Sequence, residues 1–215
     1  MKNDRVLLAI TMATALFFGA TMASAQSGDA ANGEKLSQTC LGCHGAPGLR
    51  NPGPVYAIPM VGGQHAEYII ASLKAYKSKE RGHKTMQAQA ANLSDQDMAD
   101  IAAFFAAMEG KPGASNPDKA AVARGQEKAA VCASCHGATG DGDNPAYPRL
   151  AGQYESYLAQ ALKDYRSGDR ANAIMAGFAG NLSIEDIEDL AAWFSSHEGA
   201  LVAPEQTIFK FRSSD

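Results

Sequence analysis

One pentad, cysteine, two variable residues, cysteine and histidine, occurs twice in this chain and constrains its fold more than any other feature. The first copy runs from Cys40 to His44 and the second from Cys132 to His136, 92 positions later. The segments 59–108 and 148–197 also match, at an offset of 89 positions, with more than a third of their residues identical. Such self-similarity indicates a duplicated unit. The 215 residues are therefore predicted to form two domains of one fold.

The two offsets differ because of one loop. His44 and Pro59 are 15 positions apart, whereas His136 and Pro148 are 12 apart, and the intervening residues are rich in glycine and proline. Surface loops tolerate such length changes. A second stretch rich in glycine and proline predicts a linker between the domains. The predicted boundaries are domain one at 26–109, the linker at 110–118, domain two at 119–200 and a tail at 201–215.

Both copies carry helical patterns, so the predicted fold class is all-α. Ser94 and Ser183 each precede an aspartate three positions on, an arrangement typical of a capping box. An apolar stripe with helical spacing follows each serine. Two further helices are predicted per copy, one of them leading into the pentad. The matched Gly33 and Gly125 in that helix would permit a close helix crossing or, equally, mark a frayed helix start. Only 208–211 in the tail alternates as a strand does.

The first 25 residues read as a secretion signal that is cleaved near Gln26. Lys2 and Arg5 precede an apolar run, and Ala23 to Ala25 supply small residues for cleavage. The alternative, an uncleaved membrane anchor, is disfavoured because the run is short for a membrane span. The net charge of −4 and the lack of a long basic run exclude nucleic acid as an expected partner.

The pentad spacing is associated with covalent attachment of haem c. Cys40 and Cys43, and likewise Cys132 and Cys135, could each form two thioethers to one porphyrin, and the adjacent histidine could bind the iron. Three alternatives compete. A thioredoxin-like site needs a βαβ context, and a zinc site needs four ligands, whereas each pentad supplies three. Short-range disulfides would leave His44 and His136 unexplained.

The second axial ligand of each haem is predicted from matched sulfur or imidazole donors. Met86 and Met175 lie at the 89-position offset, each seven residues before the Leu-Ser pair that opens the last helix. Met175 has one imidazole competitor in its half, His197. The competitors in the first half are more numerous, and none of them is repeated as a like residue in the second: Met60, Met98, Met108, His65 and His83. Met98 and Met108 are expected to be core residues.

Several other matched residues are predicted to surround the haems. Arg81 and Arg170 could pair with haem propionates, or remain solvated cations. Tyr76 and Tyr165 could hydrogen-bond nearby, or be half-buried aromatics. Pro59 and Pro148 could fix the proximal imidazole, or only turn the chain. Trp193, which corresponds to Phe104, is expected in the core.

These motifs together resemble the diheme cytochrome c4 family, two class I cytochrome c domains in tandem. The resemblance rests on Ala129 to Gly137, Leu150 to Gln153, Tyr165 to Arg170, and Met175 followed by Leu182-Ser183. It covers most of 28–197, with looser matches in the first copy. Lys77 to Glu80 departs from the pattern in that copy, and the tail has no explanation.

The resemblance implies two cytochrome c-like domains, each wrapped around one covalent haem with histidine and methionine ligands. It implies a periplasmic electron carrier that takes electrons from a quinol-cytochrome c reductase and passes them to a terminal oxidase. Peripheral association with the membrane is compatible with that role. Two alternatives remain at this point: the electron-accepting subunit of a periplasmic dehydrogenase, such as a flavin-containing sulfide dehydrogenase, and a diheme enzyme, either peroxidase-like or thiosulfate-oxidising.

Overall fold

The computed structural model of the protein describes residues 27–109 and 115–203. Within these ranges the chain forms two helical domains, as the repeat predicts. The signal segment, the first part of the linker and the strand-like residues 208–211 lie outside the described residues. No helix in the described part of the chain is both long enough and apolar enough to cross a membrane.

In the described residues, the first domain contains five helices, and the second contains five helices and a short 3₁₀ turn. The first-domain helices are α1 (Ala30–Leu36), α2 (Gln38–His44), α3 (Ala66–Ser78), α4 (Lys84–Ala90) and α5 (Asp95–Ala106). The second-domain helices are α6 (Lys119–Lys128), α7 (Ala133–His136), α8 (Glu155–Ser167), α9 (Ala173–Ala179) and α10 (Ile184–Ser195), with the 3₁₀ turn at Ala129–Val131.

The last helix of each domain begins with the predicted capping box. The Ser94 hydroxyl accepts from the Asp97 amide at 3.1 Å, and the Asp97 carboxylate accepts from the Ser94 amide at 2.8 Å. Ser183 and Asp186 repeat both contacts. Each box satisfies two backbone donors that the first helical turn would otherwise leave unpaired.

The first and last helices of each domain cross at a glycine. A β-carbon placed on Gly33 would lie 1.9 Å from the Asp100 carbonyl oxygen, and one on Gly125 would lie 2.1 Å from that of Asp189. Neither distance is compatible with a side chain. This contact confirms the prediction that these matched glycines permit close helix crossing.

Each domain has its own apolar core beside its pentad. In the first domain, Met98, Ile101 and Phe105 of α5 pack with Leu41 of the pentad. In the second domain, Leu190 and Phe194 of α10 pack with Leu158, and Trp193 lies at the edge of this cluster. The packing roles expected of Met98, Met108 and Trp193 are confirmed.

The longer loop of the first domain folds into a hairpin that the helical pattern does not predict. Strands β1 (Arg50–Pro52) and β2 (Val55–Ala57) pair antiparallel, with Asn51 opposite Tyr56. Val55 is exposed, whereas Tyr56 and Ala57 are buried. The three additional residues therefore belong to a short ordered element.

The start of the tail also has a structural role. Leu201 and Val202 are buried, and the Val202 amide donates to the Gly62 carbonyl at 2.9 Å. Gly62 belongs to the first domain, so the chain returns after the second domain and pairs with the first.

We predict that Gly125→Ala destabilises the haem-loaded protein by about 1–3 kcal/mol, because the added methyl overlaps the α10 backbone. The exposed neighbour Gln126, changed to alanine in the same helix, serves as the control and should leave stability almost unchanged. Denaturant unfolding followed by far-UV circular dichroism measures both variants. Equal stability of the two variants would show that the crossing is looser than described.

Candidate haem sites and the interface between them

The pentad histidines are held by the same contact in both domains. His44 Nδ1 lies 2.8 Å from the Pro59 carbonyl oxygen, and His136 Nδ1 lies 2.9 Å from that of Pro148. A carbonyl can only accept, so Nδ1 carries the proton and Nε2 keeps a free lone pair. Both prolines therefore do more than turn the chain: their carbonyls orient the imidazoles.

The surroundings of these histidines also favour the neutral ring. Burial lowers the pKa of His44, and the nearby Arg81 and His83 lower it further, against the opposing effect of the Pro59 carbonyl. Burial likewise lowers the pKa of His136. A neutral imidazole with one nitrogen bound to a carbonyl is the usual state of a metal-ligating histidine.

The four cysteines are unpaired thiols, so the short-range disulfide alternative is not formed. Cys40 and Cys43 lie one turn apart on α2, and the Cys135 and His136 amides both donate to the Cys132 carbonyl in a matching turn. Burial raises the pKa of Cys40 and of Cys132, which favours the thiol form. Two thiols and one neutral imidazole per helical turn fit a covalently attached haem c.

The matched methionines lie near the starts of matched helices. The Met86 amide donates to His83 Nδ1 at 3.2 Å, and the Met175 amide donates to Asn172 Oδ1 at 2.9 Å. Both methionines are partly buried. Met86 and Cys40 both pack against the core cluster of the first domain.

Two competing donors in the first domain, His83 and His65, use their rings in other contacts. His83 caps α4, as Asn172 caps α9. His65 Nε2 lies 2.9 Å from the Gly142 carbonyl of the other domain. Met60 is buried, with its backbone amide bound by Gln153. In the second domain, His197 packs on Trp193 at 4.1 Å between ring centroids.

Arg81 and Arg170 are buried, so the alternative of a solvated cation is wrong. Arg81 donates to the Tyr157 hydroxyl at 2.7 Å, and Arg170 donates to the Tyr68 hydroxyl. Each tyrosine belongs to the opposite domain. Although burial opposes ionisation, the Arg170 and Arg81 guanidiniums lower the pKa of Tyr68.

The same arginines stack on the predicted second pair of tyrosines. Arg81 lies 4.5 Å from the centroid of the Tyr76 ring, and Arg170 lies 4.4 Å from that of Tyr165, both within cation–π range. Tyr76 and Tyr165 are half-buried. Burial raises the pKa of each, which keeps both phenols protonated at neutral pH.

Two glutamines join the domains reciprocally, a role that sequence reasoning missed. Gln64 accepts from the Arg149 amide at 2.9 Å and donates to the Arg149 carbonyl at 3.1 Å. Gln153 accepts from the Met60 amide at 3.0 Å and donates to the Met60 carbonyl at 2.9 Å. The Gly-Gln pair is repeated in the two copies, which could have drawn attention to these glutamines. The sequence alone, however, does not show what a glutamine side chain binds.

Backbone contacts complete the symmetry. The Gly82 amide donates to the Asp169 carbonyl at 2.6 Å, and the Ala171 amide donates to the Glu80 carbonyl at 2.7 Å. Arg81 and Arg170 face each other in an antiparallel bridge between these contacts. Because the glutamine, arginine and backbone contacts are each made twice between equivalent positions, this part of the interface resembles that of a two-fold dimer.

Comparison with known proteins agrees with this architecture. The cytochrome c family model matches residues 30–109 and 122–198. Cytochrome c4 of Pseudomonas aeruginosa is 35% identical over 192 residues, which cover 83% of this chain and 93% of that protein. The crystal structure of reduced recombinant cytochrome c4 from Pseudomonas stutzeri is 32% identical, with a TM-score of 0.67, and covers 80% of this chain and 100% of that one.

A third similar protein is the electron acceptor of a dehydrogenase. The thiosulfate dehydrogenase electron acceptor of Stutzerimonas stutzeri is 29% identical over 195 residues, which cover 78% of this chain and 87% of that protein.

The fold and the two pentads define a c-type cytochrome with two haem domains. Specifically, the chain belongs to the cytochrome c family, in its diheme cytochrome c4 group. Its two cysteine pairs attach two haem c groups. It is an electron-transfer protein rather than an enzyme, so the peroxidase-like and thiosulfate-oxidising alternatives are set aside.

We predict that His83→Asn leaves the ferric haem spectrum unchanged and alters stability by no more than about 0.5 kcal/mol. Burial and Arg81 lower the pKa of His83, so its neutral ring acts as a cap that asparagine can replace. The control is His83→Ala, which removes the cap and should cost about 1 kcal/mol with the spectrum still unchanged. A changed spectrum in the asparagine variant would instead make His83 an iron ligand.

Proposed function

We propose that the first haem is bound axially by His44 and Met86 and the second by His136 and Met175. The observation that carries this assignment is the matched pair of neutral histidines, each with Nδ1 held by a proline carbonyl and Nε2 free. The two methionines support it, because they lie at equivalent positions, are partly buried, and have their backbone amides bound by the helix-capping residues. A site with both axial positions filled from the protein favours outer-sphere electron transfer over ligand chemistry.

The chain itself contributes rigidity to this reaction. Each haem, when bound, supplies a one-electron Fe(III)/Fe(II) couple. The Pro59 and Pro148 carbonyls fix the orientation of the two imidazoles, and the caps at His83 and Asn172 fix the start of each methionine helix. Groups held in place by such contacts need little rearrangement when the charge changes.

The buried arginines are proposed to serve the haems as well as the interface. A guanidinium carries five N–H donors, so the bond from Arg81 or Arg170 to a tyrosine leaves donors for a haem propionate. Tyr76 and Tyr165 are proposed to support the arginines through the stacking described above.

The proposed location is the periplasm, and the proposed donor and acceptor are a quinol-cytochrome c reductase and a terminal oxidase. The amino-terminal signal pattern supports export, with cleavage near Gln26, and haem c attachment through paired cysteines suits that compartment. The proposed domain boundaries are those predicted from the sequence, with domains at 26–109 and 119–200 joined by a linker at 110–118.

A second candidate role is that of electron acceptor for a dehydrogenase, which the likeness to the thiosulfate dehydrogenase electron acceptor favours. Purification from the native cells distinguishes the two roles. A dehydrogenase that stays bound and reduces the haems when thiosulfate is added supports the acceptor role. Isolation of the chain alone, together with reduction by the quinol-oxidising complex, supports the shuttle.

We predict that the oxidised protein contains two haems per chain and shows the weak far-red band typical of a methionine thioether on ferric haem. Met86→Leu and Met175→Leu should each remove about half of the band, because each removes one of two sulfur ligands. Met108→Leu makes the same chemical change at a packing residue and should leave the band intact. Retention of the full band in the Met86 variant would assign another donor to the first haem.

A further inference from the structure

A polar cavity between the two domains contains one carboxylate, that of Asp164. The cavity is lined by residues of both domains: Tyr56, Tyr76, Arg81, Gly82 and His83 of the first, and Tyr157, Gln160, Ala161, Asp164 and Arg170 of the second. Among these lining residues, Asp164 is the only acid. It places a negative charge in the same cavity as two buried cations, Arg81 and Arg170.

The Asp164 side chain is held in place from its own helix, α8. The Gln160 amide group donates to Asp164 Oδ1 at 2.6 Å. The Asp164 carbonyl accepts from the Arg170 amide at 3.1 Å, and the side chain is half-buried. The carboxylate therefore has a defined position at the wall of the cavity.

The equivalent position in the first domain is uncharged. By the 89-position offset, Asp164 corresponds to Ala75 and Gln160 to Ala71. The Ala75 carbonyl accepts from the Arg81 amide at 3.1 Å, which is the same backbone contact that Asp164 makes to Arg170. The fold therefore uses the backbone of this position in both copies, whereas the carboxylate and its amide partner occur in one.

The carboxylate faces the first haem site although it belongs to the second domain. Three first-domain residues of the cavity wall surround the proposed first haem site: Arg81, Tyr76, which stacks on it, and His83, which caps the helix of Met86. Of the equivalent second-domain residues, Arg170 lines the cavity, whereas Tyr165 and Asn172 are not among its lining residues.

The charge of Asp164 acts on first-domain side chains of this cavity. Burial raises the pKa of Tyr56, and Asp164 raises it further. Burial and Arg81 lower the pKa of His83, whereas Asp164 opposes them. Both effects are those of a negative charge that favours positive charge nearby. The same charge favours Fe(III) over Fe(II), because the ferric ion carries one more positive charge.

We propose that the carboxylate of Asp164 lowers the reduction potential of the first haem more than that of the second. This inference rests on the proposed function, since it takes Met86 and Arg81 to belong to the first haem. It makes a side chain of one domain a determinant of the potential in the other. Asp164 is then one source of the inequality between two haems held by the same fold.

The test removes the charge of Asp164 with little change of shape. Asp164→Asn keeps an oxygen that accepts from Gln160. The matched control is Asp169→Asn, which makes the same change at a nearby but exposed carboxylate. The reciprocal variant, Ala75→Asp, adds a carboxylate at the equivalent position of the first domain.

Potentials are measured by redox titration of the haem-loaded proteins, with paramagnetic proton NMR to follow each haem separately. The signals that Met86→Leu alters identify the first haem. The titration is run at about pH 8, well above the ordinary aspartate pKa of about 3.9. The Asp164 carboxylate stays charged under these conditions, although burial raises its pKa.

We expect Asp164→Asn to raise the potential of the first haem, with at least about a threefold increase in the equilibrium constant for its reduction. The potential of the second haem should change less than half as much. Asp169→Asn should leave both potentials almost unchanged, because solvent and salt screen an exposed charge. Ala75→Asp should lower the potential of the second haem more than that of the first.

Several results would overturn the inference. These are an unchanged first-haem potential in Asp164→Asn, an equal shift of both haems, an equal effect of Asp169→Asn, or a shift accompanied by a change in the far-red methionine band. Haem signals that are unaltered in Met86→Leu would instead contradict the proposed ligation. The two resolved potentials would still show whether Asp164 acts on one haem more than on the other.

Discussion

The reciprocal pairing of Gln64 and Gln153 with backbone of the opposite domain is the contact on which the arrangement of the two haem sites depends. Gln153 binds Met60, the residue after Pro59, and Gln64 binds Arg149, the residue after Pro148. Those prolines supply the carbonyls that hold His44 and His136. Each histidine is therefore positioned by a loop that the other domain secures.

Buried amide groups make this connection specific. A glutamine side chain that accepts from the amide and donates to the carbonyl of one residue is satisfied only in one position, and an unpaired amide at a buried site costs about 1–3 kcal/mol. The two arginines add a further constraint, because each has its charge inside the interface and a tyrosine of the other domain as its partner. Sliding of one domain on the other would break the glutamine–backbone and the arginine–tyrosine hydrogen bonds at once.

The duplication is not a perfect copy, and the differences have physical consequences. Asp100 accepts bonds from the Asp29 amide and the Asn32 and Gln96 amide groups, whereas its equivalent Asp189 pairs with Arg124 and Lys128. The first copy has neutral partners where the second has ion pairs. The hairpin of the first domain likewise has no strand counterpart in the described part of the second domain, so the two copies differ within one fold.

Much of this architecture could be predicted from local pattern. The capping boxes, the glycine crossings and the pentads each depend on residues close in sequence or on a helix pair with a simple period. The docking of the domains could not be predicted, because it depends on which surfaces of two folded units fit together. The repeat identified Gly-Gln and Arg as shared, but the partners of Gln64 and Arg81 lie in the other copy. The hairpin also escaped prediction, since a loop rich in proline and glycine is consistent with several turns.

Native-state hydrogen exchange of the haem-loaded protein tests most directly whether the two domains are held as one unit. The backbone amides of Met60, Gly82, Arg149 and Ala171 make the reciprocal contacts across the interface. If the reciprocal contacts hold the domains together, these four amides exchange through one shared opening, with a single free energy that is larger than that of amides in the surface loops. Exchange of the four at unrelated rates, as fast as loop amides of their own domains, would contradict the account and leave two independent haem domains on a linker.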